Sequence, residues 1–152
     1  MTGTMRVLIQ RVSDAAVRVE GGAPRSIGPG LVLLIGVGPD DNEAVADRIA
    51  EKAANLRIFS NDAGKFDKSL LDTGGGALVV SQFTLYGDCR KGRRPDFTGA
   101  ASPERAEPLY RRFIEALRGL GVSVQTGEFG ASMEVELRNN GPVSVWIDSE
   151  TA

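Results

Sequence analysis

Apolar residues recur along this chain at two different periods, and the switch between them divides it into elements. Residues 6–12 and 15–20 alternate apolar with polar positions and read as two half-buried strands. A Pro-Gly turn at residues 28–30 leads into residues 31–37, an unbroken apolar run of strand length that belongs at the centre of a sheet. Asp41 or Asn42 can then cap a helix carrying Val45, Ile49, Ala53 and Leu56 at spacings of four and three. Residues 61–68 are polar and read as a loop. Three glycines, Gly74, Gly75 and Gly76, break the chain before residues 77–85, a stretch rich in β-forming side chains. Ser102-Pro103-Glu104 is a helix start, with a hydroxyl at the cap, proline at the first helical position and an acid in the first turn. That helix sets Leu109, Phe113, Leu117 and Leu120 on one face and ends near Gly119 and Gly121. Residues 122–125, 133–137 and 143–147 alternate again. About seven strands and two main helices, with strands clustered at both ends, predict a compact, β-rich, layered α+β single domain. A doubly wound nucleotide-binding fold would need strands and helices in regular alternation.

Composition narrows the chemistry. At 152 residues the chain suits one domain, and its longest apolar runs are strand-sized, well short of the roughly 20 residues that span a bilayer. Residues 1–5 lack the charged and apolar regions of a signal peptide. A single cysteine, Cys89, precludes an internal disulfide and suits a reducing compartment, so a cytoplasmic address is expected. The net charge of -2 argues against a protein that coats nucleic acid indiscriminately, but leaves room for a local contact. The chain has no histidine, which excludes Ser-His-Asp and Cys-His nucleophile pairs; with one cysteine it also offers zinc few ligands. Hydrolytic chemistry here must use carboxylates, hydroxyls, backbone dipoles or the substrate itself.

Against this acidic background residues 81–94 read SQFTLYGDCRKGRR, a hydroxyl-bearing strand end running into Arg90, Lys91, Arg93 and Arg94. From pattern alone the strand is an ordinary sheet strand and the cations an ordinary solvated loop. Their juxtaposition is what an enzyme acting on a phosphate-rich polymer would need. Cys89 reads as inert.

Four segments resemble the D-aminoacyl-tRNA deacylases of the D-tyrosyl-tRNA deacylase type. They are MRVLIQRVS (residues 5–13), SQFTLYGD (81–88), RKGRRPDF (90–97) and NNGPVSVWID (139–148), and the likeness runs from Met5 to about Ser149. The resemblance implies a β-rich α+β homodimer with the active site at the subunit interface, and neither a metal nor an organic cofactor. It implies hydrolysis of the ester joining a D-amino acid, or glycine, to the terminal adenosine of tRNA, a chiral proofreading step in translation. Two departures stand out: Ser144 occupies a position usually held by threonine, and residues 1–4 precede the matching segment and are expected to be disordered.

The resemblance also distributes roles. Ser81, Gln82, Phe83 and Thr84 would form the catalytic strand end, aiming backbone N–H groups and a hydroxyl at the ester carbonyl. Thr84 is the tempting nucleophile, but the sequence supplies no histidine to activate it. It is expected instead to orient substrate or water while the vicinal ribose hydroxyl assists the attack. Gly141-Pro142 reads blindly as a trans turn; the resemblance implies a cis peptide that reaches into the partner subunit's pocket. There it would form a bare main-chain wall that accepts the ammonium and excludes an L side chain. Arg11, by itself an exposed strand-end charge, would hydrogen-bond the Gly141-Pro142 backbone. Phe129 and Met133 look like core residues; by resemblance Phe129 packs on the terminal adenine and Met133 lines the same pocket. Arg90, Lys91, Arg93 and Arg94 would contact the acceptor-stem backbone. Two rivals remain in view. One is a non-catalytic tRNA-binding module; the other is a synthetase-type editing domain acting on L-aminoacyl-tRNA, against which the Gly-Pro turn argues.

Overall fold

Where the sequence suggests two strands at its start, the chain makes one. In the computed structural model, which describes residues 4–152, strand β1 runs unbroken over Arg6–Val19. Its buried positions are Val7, Ile9, Val12, Ala15 and Val17, so the spacing of two widens to three on either side of Val12. Those are the places where its register against the last strand shifts, between Gln10 and Val12 and again between Val12 and Asp14. The irregularities bend the strand without ending it. Val7 and Ile9 join the core under the helices, whereas Val12, Ala15 and Val17 join a second apolar cluster with Val32, Leu78 and Val80.

The remaining elements assemble around β1. Strands β2 (Arg25–Ile27) and β3 (Gly30–Gly36) pair with it antiparallel, and β3 is buried along nearly its whole length, as an apolar run without alternation requires. After helix α1 (Glu43–Asn55) comes a small hairpin, β4 (Phe59–Ser60) and β5 (Phe66–Lys68), in the region read as loop. A single helical turn, α2 (Leu70–Thr73), follows; Ser69 and Asp72 close a reciprocal capping box around it. Strand β6 (Gly76–Ser81) runs parallel to β3, and β7 (Ser123–Thr126) parallel to β6. Between them lies α3 (Pro103–Gly119). Finally β8 (Met133–Asp148), read as two strands, is one 16-residue strand that returns along β1 from end to end.

The main sheet therefore orders β2-β1-β3-β6-β7, with β8 on the other side of β1. Helices α1 and α3 pack on one face, joined by Arg112, which reaches Asp47 at 2.8 Å and Glu43 at 3.1 Å. The bent half of β1 and the first half of β8 curl over the opposite face and enclose the second cluster. The β-rich α+β architecture with two main helices expected from periodicity is what the chain builds.

One local expectation is narrowed and two are corrected, the second of them at Thr4 alone. Asn42, of the two candidate caps, accepts the Val45 N–H at 3.0 Å; Asp41 is buried and accepts from Gly38 instead. Ser102 does precede α3, yet its hydroxyl makes no capping bond, and only its carbonyl receives Arg105 and Ala106. Of residues 1–4, the first three lie outside the described residues. Thr4 is buried, and its carbonyl accepts the Tyr86 hydroxyl. Among the described residues no helix is long and apolar enough to cross a membrane.

Candidate active site

The strand expected over residues 77–85 stops at Ser81, and the chain tightens into a 3-10 turn over Phe83–Tyr86. The cause lies in neighbours that hold the turn closed. The Gln82 N–H donates to the Ile35 carbonyl at 2.7 Å, tying the turn to the end of β3. Tyr86 is buried over Gly36, where a β-carbon would sit 2.7 Å from the tyrosine ring. Arg6 donates to the Leu85 carbonyl at 3.0 Å and lies 4.6 Å from the Tyr86 ring centroid. Burial pushes the Tyr86 hydroxyl well above the usual phenol range, so it stays a donor to Thr4. The first N–H groups of any such turn lack internal acceptors. Those of Phe83 and Thr84 have no backbone partner among the described residues.

Ser81, Gln82 and Phe83 line a cleft of about 680 Å³. Its floor comes from the second cluster and its far wall from the start of α3 (Ala101, Pro103, Ala106) and the loop through Phe129, Gly130 and Ala131. Met133 lines it too, its thioether accepting the Glu128 N–H at 3.4 Å. Phe83, 57% exposed at the mouth, meets Phe97 edge-on at 5.3 Å. Phe129 leans on Tyr110 at 6.0 Å, and Tyr110 in turn donates to the Val79 carbonyl at 2.9 Å.

The walls hold no charged side chain. Among the described residues side-chain polarity there is limited to Ser81 and Gln82, so no carboxylate or amine stands ready as a general base. What the site offers a carbonyl group is unpaired backbone N–H in apolar surroundings, where such donors are strongest. Thr84, fourth of the predicted catalytic residues, is exposed and does not line the cleft; its hydroxyl has no partner among the described residues.

Gly141 and Pro142 lie elsewhere. In the register of β8 on β1, Gln10 pairs Ser144 and Val12 pairs Asn139, so residues 140–143 stand opposite Arg11 alone and bulge from the sheet. The Gly141-Pro142 peptide is cis, and Gly141 has φ +135. Asn139 pinches the base of the bulge, accepting the Val143 N–H at 2.6 Å and donating to the Val143 carbonyl at 3.1 Å. Its amide also reaches Gln10 at 3.1 Å and the Ser144 hydroxyl at 3.3 Å. Arg11 donates through Nε to the Asn140 carbonyl at 2.9 Å and through Nη1 to the Ile58 carbonyl at 2.8 Å. It thus holds the peptide entering Gly141, one residue earlier than expected. None of these groups lines the cleft of its own chain.

The basic loop is carried on a narrow neck. Asp88 and Asp96 exchange backbone hydrogen bonds at 2.7 and 2.9 Å, which presents residues 89–95 as an exposed tip beside Phe97 and the cleft mouth. Arg90 is paired with Asp88 at 2.7 Å and holds that carboxyl down at about 2. Lys91, Arg93 and Arg94 have no ion-pair partner among the described residues. Sequence reasoning missed Asn139, Arg6 and Phe97. Arg6 and Phe97 sat inside the matching segments, but only the fold reveals that they brace the turn.

Comparison with known proteins is consistent across sequence and shape. A family model described as D-Tyr-tRNA(Tyr) deacylase matches residues 8–148. D-aminoacyl-tRNA deacylases from Symbiobacterium thermophilum and Thermomicrobium roseum are 58% and 59% identical, covering 96% and 95% of this chain and 97% and 94% of their own. A solved structure described as c-Myc DNA Unwinding Element Binding Protein superposes with a TM-score of 0.85 at 37% identity, covering 93% of this chain and 97% of its own. Another, described as a probable eukaryotic D-amino acid tRNA deacylase, shares the fold with a TM-score of 0.87 at 19% identity over 95% of this chain and 99% of its own. The chain belongs to the D-Tyr-tRNA(Tyr) deacylase family.

Proposed function

We propose that this chain hydrolyses the ester of D-aminoacyl-tRNA, and of glycyl-tRNA, releasing the amino acid and free tRNA as a chiral check on translation. The observation that carries this reading is a cleft bordered by an unpaired turn N–H, that of Phe83, with no charged side chain among the described residues of its wall, in a member of this family. An aminoacyl ester beside a ribose hydroxyl is already activated, so it requires positioning and oxyanion stabilisation more than a strong base. The Phe83 N–H, on the turn residue that lines the cleft, takes the developing oxyanion, such a donor being worth about 3–4 kcal/mol in acyl transfer. The vicinal ribose hydroxyl assists the attack of water, and Thr84 orients without forming a bond. Phe129 packs on the terminal adenine, with Met133 beside it. The basic tip, Arg90 included, lies along the acceptor-stem backbone.

The enzyme acts as a homodimer in the cytoplasm. Gly141 and Pro142 of a second copy complete each cleft with bare main chain, which receives the ammonium and leaves no room for an L side chain. Two features support this: the bulge is held rigidly by Arg11 and Asn139, and it lines none of its own cleft.

Single-turnover hydrolysis of D- and L-aminoacyl-tRNA tests the proposal. Release is expected from the D ester only, and a Thr84→Ala enzyme is expected to stay within about tenfold of the wild-type rate. A trapped threonyl ester would overturn the substrate-assisted route. Equal turnover of L esters would favour a synthetase-type editing activity, and no turnover at all a non-catalytic RNA-binding module.

A further inference from the structure

Phe129 also lines a second hollow, of about 480 Å³, whose character is the opposite of the first. Three arginines from two elements line it: Arg25 of β2, and Arg111 and Arg118 of α3. All three guanidinium groups bear on the same buried hydroxyl, that of Tyr110, each lowering a pKa that burial raises to about 12. Their convergence is therefore spatial, not a feature of sequence.

Arg25 and Arg118 are fixed in place on backbone carbonyls, and all three arginines retain donors. Arg25 gives Nη1 to the Thr126 carbonyl at 2.9 Å and the Gly127 carbonyl at 3.3 Å; its Nε and Nη2 are unengaged among the described residues. Arg118 gives only Nη2, to the Val124 carbonyl at 3.3 Å. Arg111 pairs with Glu107 at 2.6 Å, an exposed pair of the kind that contributes little and exchanges readily. Glu115 and Glu128 also line the hollow, so its excess of charge is a single positive unit and it suits a small number of phosphates.

The floor leads there from the cleft. Ala106 lines the first hollow, while Tyr110, Ile114 and Arg118 line the second, one stripe of α3 advancing about 6 Å for every four residues. That step matches the spacing of successive phosphates in an extended single strand. A nucleotide whose base packs on Phe129 has its 5′ neighbour one step further along this stripe.

We propose that the groove of Arg25, Arg111 and Arg118 binds the phosphodiesters of the single-stranded tail just 5′ of the terminal adenosine. The inference rests on the reading of the cleft as the site for that adenosine. Planar guanidinium forks suit phosphodiester oxygens, and their pinning lowers the entropy cost of binding.

The test compares the wild type with an Arg111→Gln/Arg118→Gln double variant on three probes. These are D-aminoacyl-tRNA, a D-aminoacyl ester of adenosine alone, and a short uncharged oligoribonucleotide ending in adenosine. The variant is expected to show about tenfold higher KM on tRNA, and weaker oligonucleotide binding. Two lost contacts should make the slope of log affinity against log salt shallower by about 1.4. Hydrolysis of the adenosine ester, which lacks the phosphates, should be unaffected. Unchanged oligonucleotide affinity and salt slope would overturn the groove, as would an equal loss on tRNA and adenosine ester. If the wild type cleaved neither ester, the deacylase reading would fall, while the oligonucleotide titration would still decide whether the groove holds phosphates.

Discussion

This chain interrupts its strands twice among its candidate site residues, and the two interruptions are built in opposite ways. At the end of β6 the backbone tightens into a 3-10 turn, braced from within by Arg6, Tyr86 and the Gln82–Ile35 bond, beside the cleft its own chain provides. In β8 the backbone loosens, and residues 140–143 swell out opposite Arg11, clamped at the base by Asn139. The turn sits within a nearly finished site. The bulge is an equally ordered structure that lines none of the cleft of its own chain, which is how a part made for another molecule is expected to look.

The sharpest way to break that comparison is complementation. Ala131→Trp fills the cleft, and Gly141→Ala places a β-carbon 2.8 Å from Val143 and 3.0 Å from Arg11 at a φ of +135. Each alone should lower turnover by about 100-fold or more. Co-expressed, they should recover about a quarter of wild-type activity, since random pairing leaves half the dimers mixed, each with one intact site. A mixture as inactive as its parents would show that turn and bulge do not meet across subunits.

A smaller effect isolates the turn. Arg6→Met removes the donor to the Leu85 carbonyl and the cation over Tyr86, and should lower kcat about tenfold with KM unchanged. Arg6→Lys should restore part of the loss. Steady-state kinetics that moved KM instead would make Arg6 a determinant of binding, not of the turn's geometry.

The smallest expected effect on turnover concerns Asp41, buried beneath the same region. Burial raises its carboxyl from 3.8 to about 6, against the opposing hydrogen bonds from Gly38 and Met5; Asp148 adds to the rise and Arg105 opposes it. An acid that is harder to ionise when folded costs stability once ionised. Its contribution should therefore fall as pH climbs from about 4 to 6, by up to about 3 kcal/mol relative to Asp41→Asn. Denaturant titrations across that window check the sign; a difference that grew with pH would contradict it.

Much of this was legible in the sequence because it depends on periodicity. The apolar run of β3, the capped face of α1 and the Ser-Pro-Glu start of α3 each state a local preference that the fold keeps. The errors fell where long-range pairing outweighs local pattern. Two short alternating stretches merged into β1, because β8 pairs along its whole length and absorbs the irregularities. The end of β6 read as strand because Phe83, Thr84 and Tyr86 favour strands; the contacts that curl it come from Arg6, Gly36 and Ile35, some 50 to 80 positions away. For the site, motif likeness singled out Ser81, Gln82, Phe83, Phe129 and Met133, and these do gather around one cleft. It could not reveal that Thr84 stands outside it, or that Asn139 closes the bulge, since both follow from backbone direction.

The bond from the Tyr86 hydroxyl to the Thr4 carbonyl has a practical consequence. A recombinant version trimmed to begin at Met5 would keep every segment that carries the family likeness, yet would strip a buried phenol of its acceptor. Preparations differing only in how many leading residues they retain should then differ in thermal midpoint, and the missing carbonyl, not the lost length, would be the reason.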